Sequence, residues 1–379
     1  MKVVVAVDSF KGSLSSMQAG SAIKTGVQTV YPQAEVIIKP LADGGEGTVD
    51  ALVEGLQGIK RTVQVSGPLG ETISAEYGIL PERQTAIIEM AAAAGLTLVP
   101  VGKRDPRYTT TYGLGELIKH ALSDGCKHFI IGIGGSATND AGIGMLKALG
   151  VKFLNVNGEE LAGIGNSLKD IHTINTDSLL PELADCNFQI ACDVNNPLYG
   201  TKGAAYIYGP QKGATPDIVQ ELDKGLQHFS GIVSKHSSKD FSQYAGSGAA
   251  GGLGFAFISF LNAKLKSGIQ IVLEEIKLNE SLKDADFLIT GEGGMDYQTA
   301  MGKAPIGVAK LGKQNNLKVL AFAGTVSSEA RQCNIEGIDA YFSIMNSPVT
   351  LQEALDIDFA ASNLTQTVIQ VFNLIKTIS

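Results

Sequence analysis

The chain is 379 residues long, acidic at a net charge of −8, and 44% hydrophobic with few aromatics and no tryptophan. That length suits two domains or one large one, and the charge excludes the basic footprint of a nucleic-acid binder. No apolar run reaches the roughly 20 residues that span a membrane, and the cysteines (Cys126, Cys186, Cys192, Cys333) are scattered without a CxxC, which sets aside disulfide frameworks and zinc ribbons.

Val3–Val7 reads as a buried strand of the parallel-sheet kind, ending in Asp8-Ser9-Phe10-Lys11-Gly12-Ser13 and a capped helix bearing Met17, Ile23 and Val27. Lys11 stands at a strand's carboxyl end, where α/β folds place ligand contacts. Val36–Ile38 is a second strand, leading through Asp43-Gly44-Gly45-Glu46-Gly47 to a helix; two carboxylates among glycines suit a metal site or plain capping equally. From Ile59 the texture changes. Thr62–Val65, Ile73–Tyr77 and Thr85–Ile88 alternate and are separated by turns, as antiparallel or mixed sheet does, so a domain crossing is expected near Gly67.

Phe129, Ile130, Ile131 and Ile133 form another buried strand, followed by Gly132, Gly134 and Gly135 and then Ser136, Thr138, Asn139 and Asp140. A helical pattern (Ile143, Met145, Leu146, Leu149) follows. This reads as strand, glycine turn and helix, with backbone N–H groups and a helix N-terminus able to hold an anion; tight packing is the competing reading. Leu161–Thr176 looks irregular. Phe188–Cys192 is a strand that delivers Asp193 at its carboxyl end. An amphipathic helix runs to about Ser234, and Gly246–Gly254 opens a helix as either a close-packing face or a second anion loop. Leu278–Asp284 returns the chain to a β-turn-α rhythm: strand Ala285–Thr290, turn Gly291–Asp296, Lys303 before a helix from Ile306, strands Val319–Ala323 and Tyr341–Met345, and a closing helix Leu351–Ile375.

The expected fold is therefore α/β with two α/β domains and an interdomain cleft. A parallel-sheet Rossmann- or flavodoxin-like domain is built from both chain ends (1–66 and 284–379), and a mixed-sheet domain (67–283) is inserted into it. Several strand ends carry glycine with an acid or a lysine, which argues for one crevice. Carboxylates, glycine loops and few histidines suit Mg²⁺ and phosphate. The pattern Gly132-x-Gly134-x-x-Ala137 matches a dinucleotide fingerprint, but the acid expected about 20 residues on is only weakly offered by Glu159 or Glu160. There is no GxxxxGK(S/T), no HExxH and no GxSxG. A nicotinamide-dependent oxidoreductase of a small hydroxy acid and a non-catalytic small-anion binder stay as alternatives.

DSFKGSLS (Asp8–Ser15), PLADGGEGT (Pro40–Thr48), GIGGSATND (Gly132–Asp140), ACDVNNPL (Ala191–Leu198), GPQKGA (Gly209–Ala214), GAAGGLG (Gly248–Gly254) and GEGGMDYQTAMGKAP (Gly291–Pro305) together resemble the type 1 glycerate kinase family, in order and over nearly the whole chain. The resemblance implies ATP-dependent phosphorylation of D-glycerate to 2- or 3-phosphoglycerate, and two α/β domains, one interrupting the other. The chain departs from the family pattern at Gly294, where a basic residue usually follows GEG, and at Ala141, where glycine is common.

The expected machinery is as follows. The turn around Gly134 and Gly135 holds phosphate oxygens, Lys11 neutralises charge on the transferred group, and Asp43, Glu46 or Glu292 hold Mg²⁺ directly or through water. Asp193 is the first choice for the base and Asp296 the second. Ser136 and Asn139 orient glycerate, and Ser9, Asp140 and Lys303 complete the substrate and phosphate contacts. The enzyme is expected to be cytoplasmic, a monomer or homodimer, with ATP and D-glycerate as its small-molecule partners and neither nucleic acid nor membrane among them.

Overall fold

The computed structural model describes residues 1–45 and 47–378. Its strands, in chain order, are β1 (Lys2–Val7), β2 (Glu35–Pro40), β3 (Ile59–Ser66), β4 (Thr72–Leu80), β5 (Thr85–Glu89), β6 (His128–Gly132), β7 (Lys152–Leu154), β8 (Thr173–Asn175), β9 (Asn187–Ala191), β10 (Lys264–Lys266), β11 (Phe287–Met295), β12 (Lys318–Val326) and β13 (Ala340–Ser343). The chain divides into two compact units, one of residues 1–43, 50–57 and 269–379, the other of 44–49 and 58–268. Among the described residues no helix is long and apolar enough to cross a membrane.

The first unit is built on a parallel sheet of order β13-β12-β11-β1-β2. Val3, Val5 and Val7 share one core with Ile289, Phe322 and the helices Ser16–Val30 and Ile357–Ile378, while Val4 and Ala6 are buried on the opposite face. Continuous apolar strands are the signature of a sheet covered on both sides. Counted within the unit, the strand order is 2-1-3-4-5, whose switch point lies between β1 and β11.

The second unit carries a mixed sheet of order β10-β9-β6-β5-β4-β3. β10, β9, β6 and β5 run parallel, and β4 and β3 are antiparallel additions. Phe129 and Phe188 stack at 4.7 Å between ring centroids over a core that includes Leu114, Leu117, Phe229 and Phe257.

Four local expectations differ. Ile59–Ser66 pairs with β4 from Ile59↔Ile79 to Ser66↔Thr72, so Gly67-Pro68 is the bend of a hairpin inside the second unit, and the division between units falls near residue 58. The segment Gly291–Met295 continues the strand: Gly294 and Met295 pair with Thr325 and Val326. Glycine is needed there for close approach, since a Cβ on Gly291 would lie 2.0 Å from the Phe322 carbonyl oxygen. The closing helix is broken into Leu351–Ala354 and Ile357–Ile378, the second restarted by Asp356, whose carboxylate accepts from Phe359 N at 2.9 Å. Finally, residues 136–142 lie between the Gly134-Gly135 turn and the short helix Ile143–Ala148, so no helix N-terminus stands behind those glycines.

Candidate functional site

In the first unit, a cavity of about 370 Å³ opens at the carboxyl ends of the parallel strands. β1 delivers Asp8, Ser9 and Lys11 to it, the loop after β2 delivers Asp43, and β11 delivers Glu292. Lys303, the residue before helix Ala304–Gln314, completes the charged end. Ser9, Lys11, Asp43, Glu292 and Lys303, candidates from four different stretches of the sequence, all line this one cavity.

The electrostatics are those of carboxylates crowded together. Burial pushes the Asp8 carboxyl up to about 7, with Asp43 and Glu292 adding to the rise; the Ser9 N–H, 2.7 Å from Oδ1, and the Lys11 ammonium work against it. Glu292, 9% exposed, is also raised by burial, against a hydrogen bond donated by the buried Thr299 hydroxyl at 2.5 Å and the charge of Lys303. Asp8, to which the sequence reading gave no role, is thus at the centre of the charged end.

Oxygen donors of this kind suit a hard cation such as Mg²⁺, which keeps several waters and shares substrate phosphates. Among the described residues no three acidic, histidine or cysteine side chains are grouped closely enough to hold an ion by themselves. Glu46, expected among the metal ligands, lies outside the described residues.

Asp296 has another use. Its carboxylate caps helix Tyr297–Ala300, accepting from Gln298 N at 2.8 Å and Thr299 N at 3.1 Å, and Thr299 Oγ1 accepts from Asp296 N in return. Gly294 lines the cavity, and a Cβ there would lie 3.0 Å from Thr325 Oγ1. Among the described residues, Lys11 and Lys303 are the cations that line this cavity.

The second unit holds a separate polar cluster. Gly135 adopts φ +73° in the turn after β6, and Ser136 follows. The Ser136 hydroxyl accepts from Lys212 Nζ at 2.6 Å, and the same ammonium donates to the Thr138 carbonyl at 2.6 Å. Lys212 is only 2% exposed, and burial depresses its pKa to about 7 against the favourable charge of Asp140. The Asp140 carboxylate is fully buried and accepts from Thr111 N and Thr111 Oγ1, both at 2.8 Å, from Gly142 N at 3.0 Å and from Gly144 N at 3.3 Å. Thr111 Oγ1 itself accepts from Met145 N, so its proton is committed to Asp140. Burial pushes the Asp140 carboxyl up, and the hydrogen bonds from Thr111, Gly142 and Gly144 work against that rise.

Asn139 is fully buried, and its side-chain amide has no hydrogen-bond partner among the described residues. The GAAGGLG segment settles as packing. Ala250, Gly251 and Gly252 are left-handed, Ala141 N donates to the Gly251 carbonyl at 2.9 Å, and a Cβ on Gly251 would lie 2.0 Å from the Thr138 carbonyl oxygen. Ala141 itself sits at φ +50°, a left-handed backbone that glycine adopts without a Cβ penalty. Asp193 is exposed just beyond β9, with Oδ1 accepting from Gly268 N at 3.1 Å.

Lys212, within GPQKGA, has partners 74 and 76 positions away, and no spacing in the sequence announces them.

The sequence profile of the Glycerate kinase family matches residues 3–376. A protein named Glycerate kinase from Halalkalibacterium halodurans is 48% identical over 353 residues, 93% of each chain. A protein named Glycerate 2-kinase from Escherichia coli K12 is 48% identical over 354 residues, again 93% of each. A crystal structure from Salmonella typhimurium LT2, assigned as glycerate kinase 2, superposes with a TM-score of 0.92 at 44% identity, covering 100% of this chain and 98% of that one. With its parallel and mixed sheets, its carboxylate-and-lysine cavity and its match along almost the full length, the chain belongs to the glycerate kinase family.

Proposed function

We propose that this protein is an ATP-dependent D-glycerate kinase that moves the γ-phosphoryl group onto the 2-hydroxyl. The observation that carries the reading is the convergence of Asp8, Lys11, Asp43, Glu292 and Lys303 at the switch point of a parallel sheet, in a chain of this family. The choice of the 2-hydroxyl is supported by the relative named Glycerate 2-kinase.

Phosphoryl transfer asks for positioning and for charge to be neutralised. Lys11 and Lys303 would set two ammonium groups against phosphate oxygens, and Lys11 would follow the charge that develops on the transferred group. Asp8, Asp43 and Glu292 would hold Mg²⁺, directly or through water. The ion, when bound, neutralises phosphate charge and relieves the repulsion among these carboxylates. In the second unit, the Ser136 hydroxyl accepts from Lys212, which leaves its own proton to donate to an anionic substrate oxygen beside the Gly134-Gly135 backbone. Asp193, oriented by the Gly268 N–H, would take the proton of the glycerate hydroxyl. Asp296 is not used, its carboxylate being engaged as a helix cap.

Phosphorus NMR of the protein with ATP, Mg²⁺ and D-glycerate tests the reading. A new phosphomonoester coupled to the C2 proton is expected. ATP turnover that does not depend on glycerate, or no turnover at all, would overturn it, and coupling to the C3 protons would move the transfer to the other hydroxyl.

A further inference from the structure

The cavity of the first unit has two chemistries. Its charged residues have been described. The rest of its wall is largely apolar, with Phe10, Ile344, Met345, Leu351, Leu355 and Ala360 in it. Phe10, Ile344 and Ala360 are buried, whereas Leu351 and Leu355 form a rim that is 75% and 38% exposed. Gly12, at φ +82°, lies against Leu355, where a Cβ would stand 3.4 Å from that side chain.

D-glycerate carries oxygen on all of its carbons and has no apolar face to offer such a wall. A nucleotide has both parts: a polyanionic tail that needs cations, and a flat, weakly hydrated base. Ligand sites of this size combine apolar walls with a few placed polar groups, and in open parallel sheets they lie outside the carboxyl ends at the switch point. We infer that the apolar wall of this cavity receives the base of the nucleotide, its phosphates lying toward Lys11, Lys303 and the carboxylates, so that the first unit is the nucleotide site. The inference rests on the reading of the chain as a kinase and adds which of its two substrates this cavity takes.

Titration calorimetry on the full chain in Mg²⁺ tests it, using ATP, inorganic tripolyphosphate and D-glycerate as separate probes. The variants are Leu351→Asp and Leu355→Asp, chosen because rim positions tolerate substitution, with Leu355→Ile as the conservative control. The wild type is expected to bind ATP at least tenfold more tightly than tripolyphosphate. Each aspartate variant is expected to weaken ATP at least tenfold while leaving tripolyphosphate and D-glycerate within twofold, and the isoleucine control to keep ATP affinity. Equal binding of ATP and tripolyphosphate by the wild type, or aspartate variants that weaken D-glycerate and spare ATP, would overturn it. The readout needs no turnover. Base-dependent ATP binding in a protein that fails to phosphorylate glycerate would uphold this subsite while removing the kinase reading.

Discussion

Asp140 and Lys212 are both ionisable and both held away from water, and their surroundings treat them differently. Four donors satisfy Asp140. Lys212 has two neutral acceptors and the field of Asp140, and burial lowers its pKa from 10.5 to about 7. Between those values the unfolded chain binds the proton that the folded chain has lost, so folding stability gains as pH rises through that window. The gain between pH 7 and pH 9 is about 2 kcal/mol. Lys212→Met should abolish this slope, and urea midpoints at the two pH values, compared between variant and wild type, check it; parallel midpoints would show that the lysine does not titrate there. Asp193 poses a catalytic question. Asp193→Asn keeps an oxygen for the Gly268 N–H but cannot accept a proton, so kcat should fall by at least about 10²-fold with the urea midpoint unchanged. A near-wild-type kcat would take Asp193 out of the base role. The strand-end rule made Lys11, Asp43 and Glu292 visible in the sequence. Lys212 was invisible because nothing in its own neighbourhood reveals partners more than 70 positions away.

The elements were legible where burial alone decides them. Val3–Val7 and Phe129–Ile131 are apolar on both faces and sit in parallel strands. Legibility failed where glycine serves close packing, because a glycine cluster reads the same whether it makes a turn or lets two backbones approach. Gly291 and Gly293 are strand residues, and Gly251 is a contact with Thr138. It failed again at residues 136–142, a buried loop held by Asp140 and by Thr111, 29 positions earlier. The Gly251 contact can be measured. Gly251→Ala adds a Cβ 2.0 Å from the Thr138 carbonyl oxygen at φ +69°, so the left-handed backbone and the overlap together should cost about 3 kcal/mol or more. Gly231→Ala, exposed within helix Pro216–Ser237 and with nothing near its added methyl, should instead stabilise by about 0.5–1 kcal/mol. Urea denaturation of both separates close approach from simple helix propensity, and similar losses in the two would deny Gly251 its special place.

At the scale of the whole molecule, the chain completes one unit before it can complete the other. The second unit's core, from Val65 to Leu261, lies within residues 58–268 and carries its own six-stranded sheet. The first unit cannot form from its leading segment. β1 is a central strand whose Val3, Val4 and Val5 register with Phe287, Leu288 and Ile289. Helix Ser16–Val30 packs against helix Ile357–Ile378 so closely that a Cβ on Gly26 would lie 2.8 Å from Val368. Residues 58–268 expressed alone should therefore unfold in one cooperative urea transition. Residues 1–57 alone should show none, since they carry β1 and β2 with no β11 to pair with β1 and no closing helix to cover their apolar face. Co-expression of 1–57 with 269–379 supplies β11 and the closing helix and should restore cooperative unfolding. The loop-closure entropy of joining Val3 to Phe287 grows only slowly with the length of chain between them, but such long-range pairing is slow to form. In the intact protein, refolding followed at both units should thus show the second unit protected from hydrogen exchange before the first. Protection gained first at β1 and β11 would mean that the chain ends pair without waiting for the segment between them, and the proposed order of assembly would be reversed.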